Sequence, residues 1–332
     1  MSNPADLSPV APVYTFRVAA SAQAWDALVN ESRQGTIFSD SRFLQALDAP
    51  HTCYEVLSKS GERMAGIAVI KQADGMHPAP FPFTPHQGIL FSQTVCAQAH
   101  QKRLTTEFRL TEFLIEQLAQ RYGNVSMALS PAFTDVRPFA WHNYGASNLP
   151  QFAIRPRYTA HLALTDFQFD DYLQSIRAVR RQEFHKSTAH ITQSGDIACF
   201  MKLYADTFHR QGLIQSEATL ALVERICTSA LHHQYGRLSM AVVDGQVASM
   251  SLFIFDQRGA YYLFGANDPA WRHTGASTKL MIDNIRHFAE RGMRMLDFVG
   301  VNSPQRGDFK LSFNPELVPY FEVHLDGSTK RA

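Results

Sequence analysis

The sequence predicts a mixed α/β protein, α+β in its layering, built from two tandem copies of one unit. Three observations predict it: an order of elements that occurs twice, apolar spacing that switches between strand and helix periods, and a size sufficient for two cores. With 332 residues the chain has room for about two domains. In the first copy, Tyr54 to Ile70 reads as a strand, a tight turn at Ser60-Gly61 and a second strand. Leu238 to Phe255 repeats that plan around Asp244-Gly245. Behind the first hairpin, Leu110, Phe113, Leu114 and Leu118 fall on one helical face, which stops near Gly123 before a strand from Val125 to Leu129. Behind the second, Met281, Ile285, Phe288 and Ala289 make a similar stripe, which stops near Gly292 before a strand from Met293 to Val299.

Gly61 and Gly245 lie 184 positions apart, Gly123 and Gly292 only 169. The first copy therefore carries extra residues between hairpin and helix, and they fall in 75–100. That insertion contains Pro78, Pro80, Pro82 and Pro85, which interrupt regular structure, and Phe81 and Phe83, which are too apolar for a plain solvent loop. Two readings are open: a loop packed on its own domain, or an aromatic wall of a substrate groove. The boundaries that follow are 12–150 for the N-terminal copy and 157–328 for the C-terminal copy. Between them Pro150 and Pro156 flank a short extended stretch.

Hydrophobic residues make up 45% and charged residues 18%, which excludes a disordered chain. The net charge of +1 argues against a protein that grips a long polyanion, DNA included, over its whole surface. Cys53, Cys96, Cys199 and Cys227 form no C-x-x-C pair, so structural thiols are expected and no metal. No signal-peptide pattern and no long apolar run is present, so a cytoplasmic protein is expected, with peripheral contact at the inner membrane face left open.

Dinucleotide, P-loop, serine-hydrolase and zincin motifs are missing, and His232-His233 has Arg237 where an H-H-x-x-x-D acyltransferase needs Asp. Asn267 to Leu280 joins a strand to a helix, with Gly275 and Ala276 just before the helix N-terminus. Exposed N–H groups there, with Arg272 nearby, suit a phosphate or pyrophosphate; an ordinary capping turn is the plainer reading. Arg177, Arg180 and Arg181 share a helical face, either a solvated face or a clamp for phosphates. Lys310, between Phe309 and Leu311, sits in apolar sequence where a charge needs a purpose. It either snorkels to the surface or is aimed at an anion or a developing oxyanion.

Together these stretches, with Trp25 to Leu47, Tyr204 to Gly212 and the closing Asp297-Phe298-Val299-Gly300 and Phe309-Lys310, resemble the FemAB/FemX aminoacyltransferases with their duplicated GNAT N-acyltransferase fold. The resemblance covers most of the chain. It implies two tandem GNAT-like domains, each a mixed, mainly antiparallel sheet flanked by helices, the N-terminal one on the acceptor side and the C-terminal one on the donor and catalytic side. It also implies transfer of an acyl or aminoacyl group to an amine of a cell-envelope, peptidoglycan or polysaccharide precursor. Phe309 and Lys310 then map to the active site, Arg210 to a substrate-phosphate contact, and Arg272, Gly275 and Ala276 to the loop that cradles the pyrophosphate of acyl-CoA. With Arg177, Arg181, Phe81 and Phe83 as further substrate-binding residues, the site is complete on this reading. No permanent cofactor is implied; acyl-CoA or aminoacyl-tRNA is the donor co-substrate. A long helical arm found in some tRNA-dependent members has no counterpart. Competing classes are a non-catalytic binder of a nucleotide-linked sugar or envelope component, and an RNA-binding module using Arg177, Arg180 and Arg181. The acceptor, the general base and the oligomeric state are not readable.

Overall fold

The computed structural model describes residues 14–71, 79–146, 148–209 and 215–327. The first half runs β1 (Tyr14–Val18), α1 (Ala22–Glu31), α2 (Ser41–Ala46), β2 (His51–Ser58), β3 (Arg63–Ile70), β4 (Ile89–Phe91), α3 (Gln93–Cys96), α4 (His100–Tyr122), β5 (Val125–Ala128) and α5 (Arg137–Trp141). The second runs β6 (Ala153–Ala163), α6 (Phe169–Ser175), α7 (Ala178–Lys186), β7 (His190–Gln193), α8 (Ile197–His209), α9 (Glu217–His232) and β8 (Gly236–Val243). It continues with β9 (Gln246–Phe255), β10 (Gly259–Asn267), α10 (Ala276–Glu290), β11 (Met295–Asp297), α11 (Pro304–Leu311) and β12 (Glu316–Leu325).

Both expected hairpins form. The second turns through Asp244 and Gly245, both at positive φ, the conformation that matches a two-residue turn to the twist of its strands. Gly123 and Gly292 also take positive φ just beyond α4 and α10, where a side chain would be strained.

β1 to β4 form a four-stranded antiparallel sheet, and the other eight strands form a second sheet in the order β5-β12-β6-β11-β10-β9-β8-β7. β5 belongs to the first half yet pairs with the C-terminal β12, so this sheet crosses from one half to the other. The cores do the same: Trp25, Phe38 and Phe43 pack in one cluster with Phe200, Ile226 and Tyr261.

The stretch at Pro150 to Arg157, expected as a short connection, is the start of β6, a central strand. Pro156 is tolerated because β6 pairs with β12 over residues 153–161 but with β11 only at 161–163, which leaves its other side open at the proline. There Asn302 replaces a missing strand: its side chain accepts from the Tyr158 N–H and donates to the Tyr158 carbonyl.

The feature that positions the site is a split. β10 pairs with β11 in parallel, but only from Gly259 to Tyr261; β10 then runs on to Asn267 while β11 ends at Asp297. A bulge between Tyr262 and Phe264 puts these two rings on opposite faces of the strand. Tyr262 packs toward Phe253 and Phe264 toward Tyr204. Beyond Asp297 the chain turns through Val299 and Gly300, both at positive φ, and α11 follows.

Candidate functional site

A cavity of about 990 Å³ occupies the split. Tyr262 to Gly265, Val299 and Gly300 form its base, and α11, the start of α10 and the 80–85 segment of the first half enclose it. Its lining brings together Lys310, Phe309, Arg272, Gly275, Ala276, Phe81 and Phe83, residues spread over 230 positions of sequence.

Lys310 lies in the last turn of α11 and is half-buried. Its Nζ donates to the Val299 carbonyl and stands 5.3 Å from the Tyr262 ring centre. Burial pushes its pKa down to about 8; the charge of Asp297 acts to hold it up and that of Arg306 to lower it. The ammonium thus stays charged at neutral pH inside a low-dielectric pocket. Phe309 packs edge-on against Phe313 and stacks under the Arg180 guanidinium at 4.9 Å.

At the other end, a 3-10 turn from Pro269 to Thr274 leads into Gly275, whose φ of +67° favours glycine. A Cβ there would lie 2.9 Å from the Glu183 carbonyl oxygen. Gly275 offers no side-chain cap to α10; the Ala276 N–H donates to the Thr274 hydroxyl at 3.4 Å, and Ala276 and Ser277 line the cavity with the exposed Arg272 at this helix start. One carboxylate stands near it: Glu183 Oε2 accepts from Arg180 at 2.6 Å and from the Thr278 hydroxyl at 2.5 Å, which neutralises its charge and pins α7 to α10.

The 80–85 segment forms the opposite wall. Phe83 is held at φ +63°, a strained state for a bulky residue. Its ring meets Phe264 edge-on at 4.9 Å, and Phe264, Tyr204 and Phe208 continue the aromatic surface. Phe81 and Phe83 pack against the cluster holding Phe264 and Tyr204 of the second half, so the segment is not a loop packed on its own half alone.

Two expected residues lie elsewhere. Arg177 precedes α7 and pairs with Asp308 at 2.9 Å; Arg181 donates to the Leu173 and Gln174 carbonyls at the end of α6. Neither lines the cavity, because the positions three and four apart are consumed in packing α7 against α6 and α11. Arg180, between them, does line it. Arg210 lies outside the described residues.

Residues the sequence reading passed over include Tyr204, Tyr262, Arg306, Tyr320 and Glu322, all on the lining. Under the split lies Asp297, fully buried, accepting from His86 Nε2 at 2.8 Å, the Val299 N–H at 2.7 Å and the Thr159 hydroxyl, with His161 Nε2 at 3.3 Å. These partners hold its carboxyl far below the usual carboxylate range despite burial. Among the described residues no cluster of three metal-ligating side chains occurs and no helix is long and apolar enough to cross a membrane.

The family model described as an acetyltransferase (GNAT) domain matches residues 171–311, which hold the split, the α10 loop and α11. Among solved structures, that of FemX superimposes with a TM-score of 0.62 at 12% identity, over 91% of this chain and 95% of that one. A tandem GNAT protein from the clavulanic acid biosynthesis pathway gives 0.54 at 10% identity, over 95% and 99%. The C-terminal domain of a putative lysylphosphatidylglycerol synthetase from Agrobacterium fabrum gives 0.53 at 13%, over 91% and 90%. No curated protein sequence matches. The chain has the FemX-like, duplicated GNAT fold.

Proposed function

We propose that the protein is an N-acyltransferase that moves an acyl or aminoacyl group from an activated donor to an amine of a cell-envelope precursor. One observation carries the reading: a buried ammonium, a glycine-opened helix N-terminus and an aromatic wall converge on one cavity at the split between β10 and β11. Aminolysis of an activated carbonyl needs a neutral amine, a close and oriented carbonyl, and a charge to meet the tetrahedral oxyanion. Lys310 supplies that charge. Its hydrogen bond to the Val299 carbonyl and the Tyr262 ring beneath it fix its direction before substrate arrives. Phe309 and Tyr262 keep water from the ammonium, which strengthens its interaction with a developing anion. As the tetrahedral state collapses, the bond to the leaving thiolate or alkoxide breaks, the amine nitrogen gives up one proton to that leaving group or to water, and the new amide C–N bond remains.

Acyl-CoA is the donor this geometry favours. Arg272, Gly275 and Ala276 offer a site for a pyrophosphate, whereas the net charge of +1 gives no broad basic field for tRNA. The Phe81 and Phe83 wall faces the acceptor. The FemX and lysylphosphatidylglycerol synthetase likenesses support an envelope precursor as its class.

Calorimetric titration with CoA and, in parallel, with charged tRNA at physiological salt tests the donor assignment. CoA is expected to bind, and Arg272→Ala to weaken it about tenfold, the scale of one charge-assisted hydrogen bond. tRNA binding without CoA binding would replace the acyl-CoA reading by an aminoacyl-tRNA one. Silence from both would leave a binding protein for an envelope component.

A further inference from the structure

The proposed chemistry uses Lys310 but leaves unexplained the charge buried behind it. Asp297 is fully enclosed, at the last residue of β11, where the strands part. Its two oxygens face different tasks. Oδ1 accepts from the Val299 N–H and the Thr159 hydroxyl. Val299 is β-branched yet held at φ +46°, a conformation that persists only where its surroundings enforce it, and its carbonyl receives the Lys310 ammonium. Oδ2 accepts from His86 Nε2. His86 is itself buried and directly follows Thr84 and Pro85 of the cavity wall, 211 positions away in sequence.

We propose that Asp297 is a positioning residue that sets both sides of the site at once: through the Val299 turn it aims the Lys310 ammonium, and through His86 it docks the Phe81–Phe83 wall over the same cavity. The proposal rests on the acyltransferase reading for its purpose, but the placement it describes is testable without turnover. A carboxylate that served packing alone would need neither the strained turn nor a partner from the other half. An apolar residue would fill the space at less desolvation cost. The charged and titratable groups around Asp297 are His86, His161, Tyr261, Tyr320 and Lys310; those around Lys310 are Asp297, Arg306 and Tyr262. Of these only Asp297 carries a negative charge.

The test measures Lys310 directly in the full-length protein. Trace labelling with acetic anhydride across a pH series, read by peptide mass spectrometry, gives the proton affinity of this one amine. Hydrogen exchange reports the 79–88 and 298–311 segments. In Asp297→Asn the proton affinity of Lys310 is expected to fall on the order of tenfold, since one pKa step is that factor. Exchange should rise in both segments. An unchanged Lys310 titration, or faster exchange in only one segment, overturns the proposal. If Asp297→Asn does not fold, His86→Gln carries the test. It should speed exchange over 79–88 and leave Lys310 titrating within about threefold of its original affinity. Unaltered exchange there overturns the link to the wall. Absence of thiol release from acetyl-CoA by the original protein over a panel of amines would remove the acyl-CoA transferase reading while leaving these titration and exchange outcomes standing.

Discussion

Each half of the molecule parts its strands behind its hairpin, and the two gaps have opposite fates. In the first half β4 and β5 lie in different sheets, and among the described residues an isolated bridge between Gln87, just before β4, and Ala128 of β5 links them. That gap is filled: the Gln87 side chain donates to the Ala68 carbonyl, and Leu129, fully buried, lies close enough that a Cβ on Gly88 would meet it at 3.1 Å. A void of about 10 Å³ remains. In the second half the gap between β10 and β11 holds about 990 Å³. The helix starts differ as well. α4 begins after Ala99 in ordinary backbone, whereas α10 begins after Gly275 in the left-handed region. One half is closed at its gap and lends a wall to the cavity; the other is open at the corresponding place. A gap in a sheet is therefore no site by itself, and what decides is whether side chains or solvent-accessible space fill it.

The strongest way to break this comparison is Lys310→Ala. If the open gap is the reaction centre, acyl transfer, followed as thiol release from acetyl-CoA with an amine panel, should fall about 100- to 1000-fold, the usual loss for an oxyanion donor. Circular dichroism should be unchanged. Normal turnover in a folded variant would leave the second gap as inert as the first. The matching change in the closed gap is Leu129→Ala. Removing a fully buried leucine should cost about 2–5 kcal/mol in urea unfolding, with turnover per folded molecule unaltered. A variant of normal stability and impaired turnover would make the first gap functional.

Gly275→Ala sharpens the contrast between the helix starts. Its Cβ would press on the Glu183 carbonyl from a backbone conformation that costs about 1–3 kcal/mol for a residue other than glycine. Both stability and CoA affinity should drop. Unchanged calorimetric affinity would place the donor's phosphates elsewhere.

What the sequence makes legible, and what it hides, follow the same division. The two hairpins, the helices that follow them and the α10 loop are visible because each is local: a single turn or apolar stripe is complete within about 15 residues. Lys310 stands out because a lone charge among Phe309 and Leu311 needs an explanation, although its place in a helix did not show in so short a stretch. The Arg177, Arg180 and Arg181 group shows the limit. Spacing puts them near one another but cannot say which faces the cavity, and the structure selects Arg180 alone. β6 and β12 were hidden because Pro156 and Pro319 argue against strands unless one knows which strand side is open. Asp297 and His86 were unreadable as partners, being 211 positions apart with no local pattern that joins them.

The smallest effect expected is the most specific to the open gap. Lys310 titrates near 8 in the folded protein against an ordinary value of 10.5, with burial as the leading cause. Between those values the unfolded chain binds more protons than the native one, so the contribution of this group to stability rises with pH across that window. Below about pH 8 the lysine is charged in both states, and the native state carries the whole desolvation penalty. Lys310→Met should therefore be more stable than the original protein at pH 7, by on the order of 1 kcal/mol. The difference should shrink as pH climbs from 8 through 10.5, above which the original lysine is neutral in both states. Urea unfolding of both proteins at several pH values measures this. A stability difference that does not vary with pH would mean that the ammonium is hydrated at the surface, and that the second gap shelters no charge the first gap lacks. A difference that closes as described would show a charge held in the open gap at the expense of stability, which the filled gap, packed with Leu129 and the amide of Gln87, has no reason to carry.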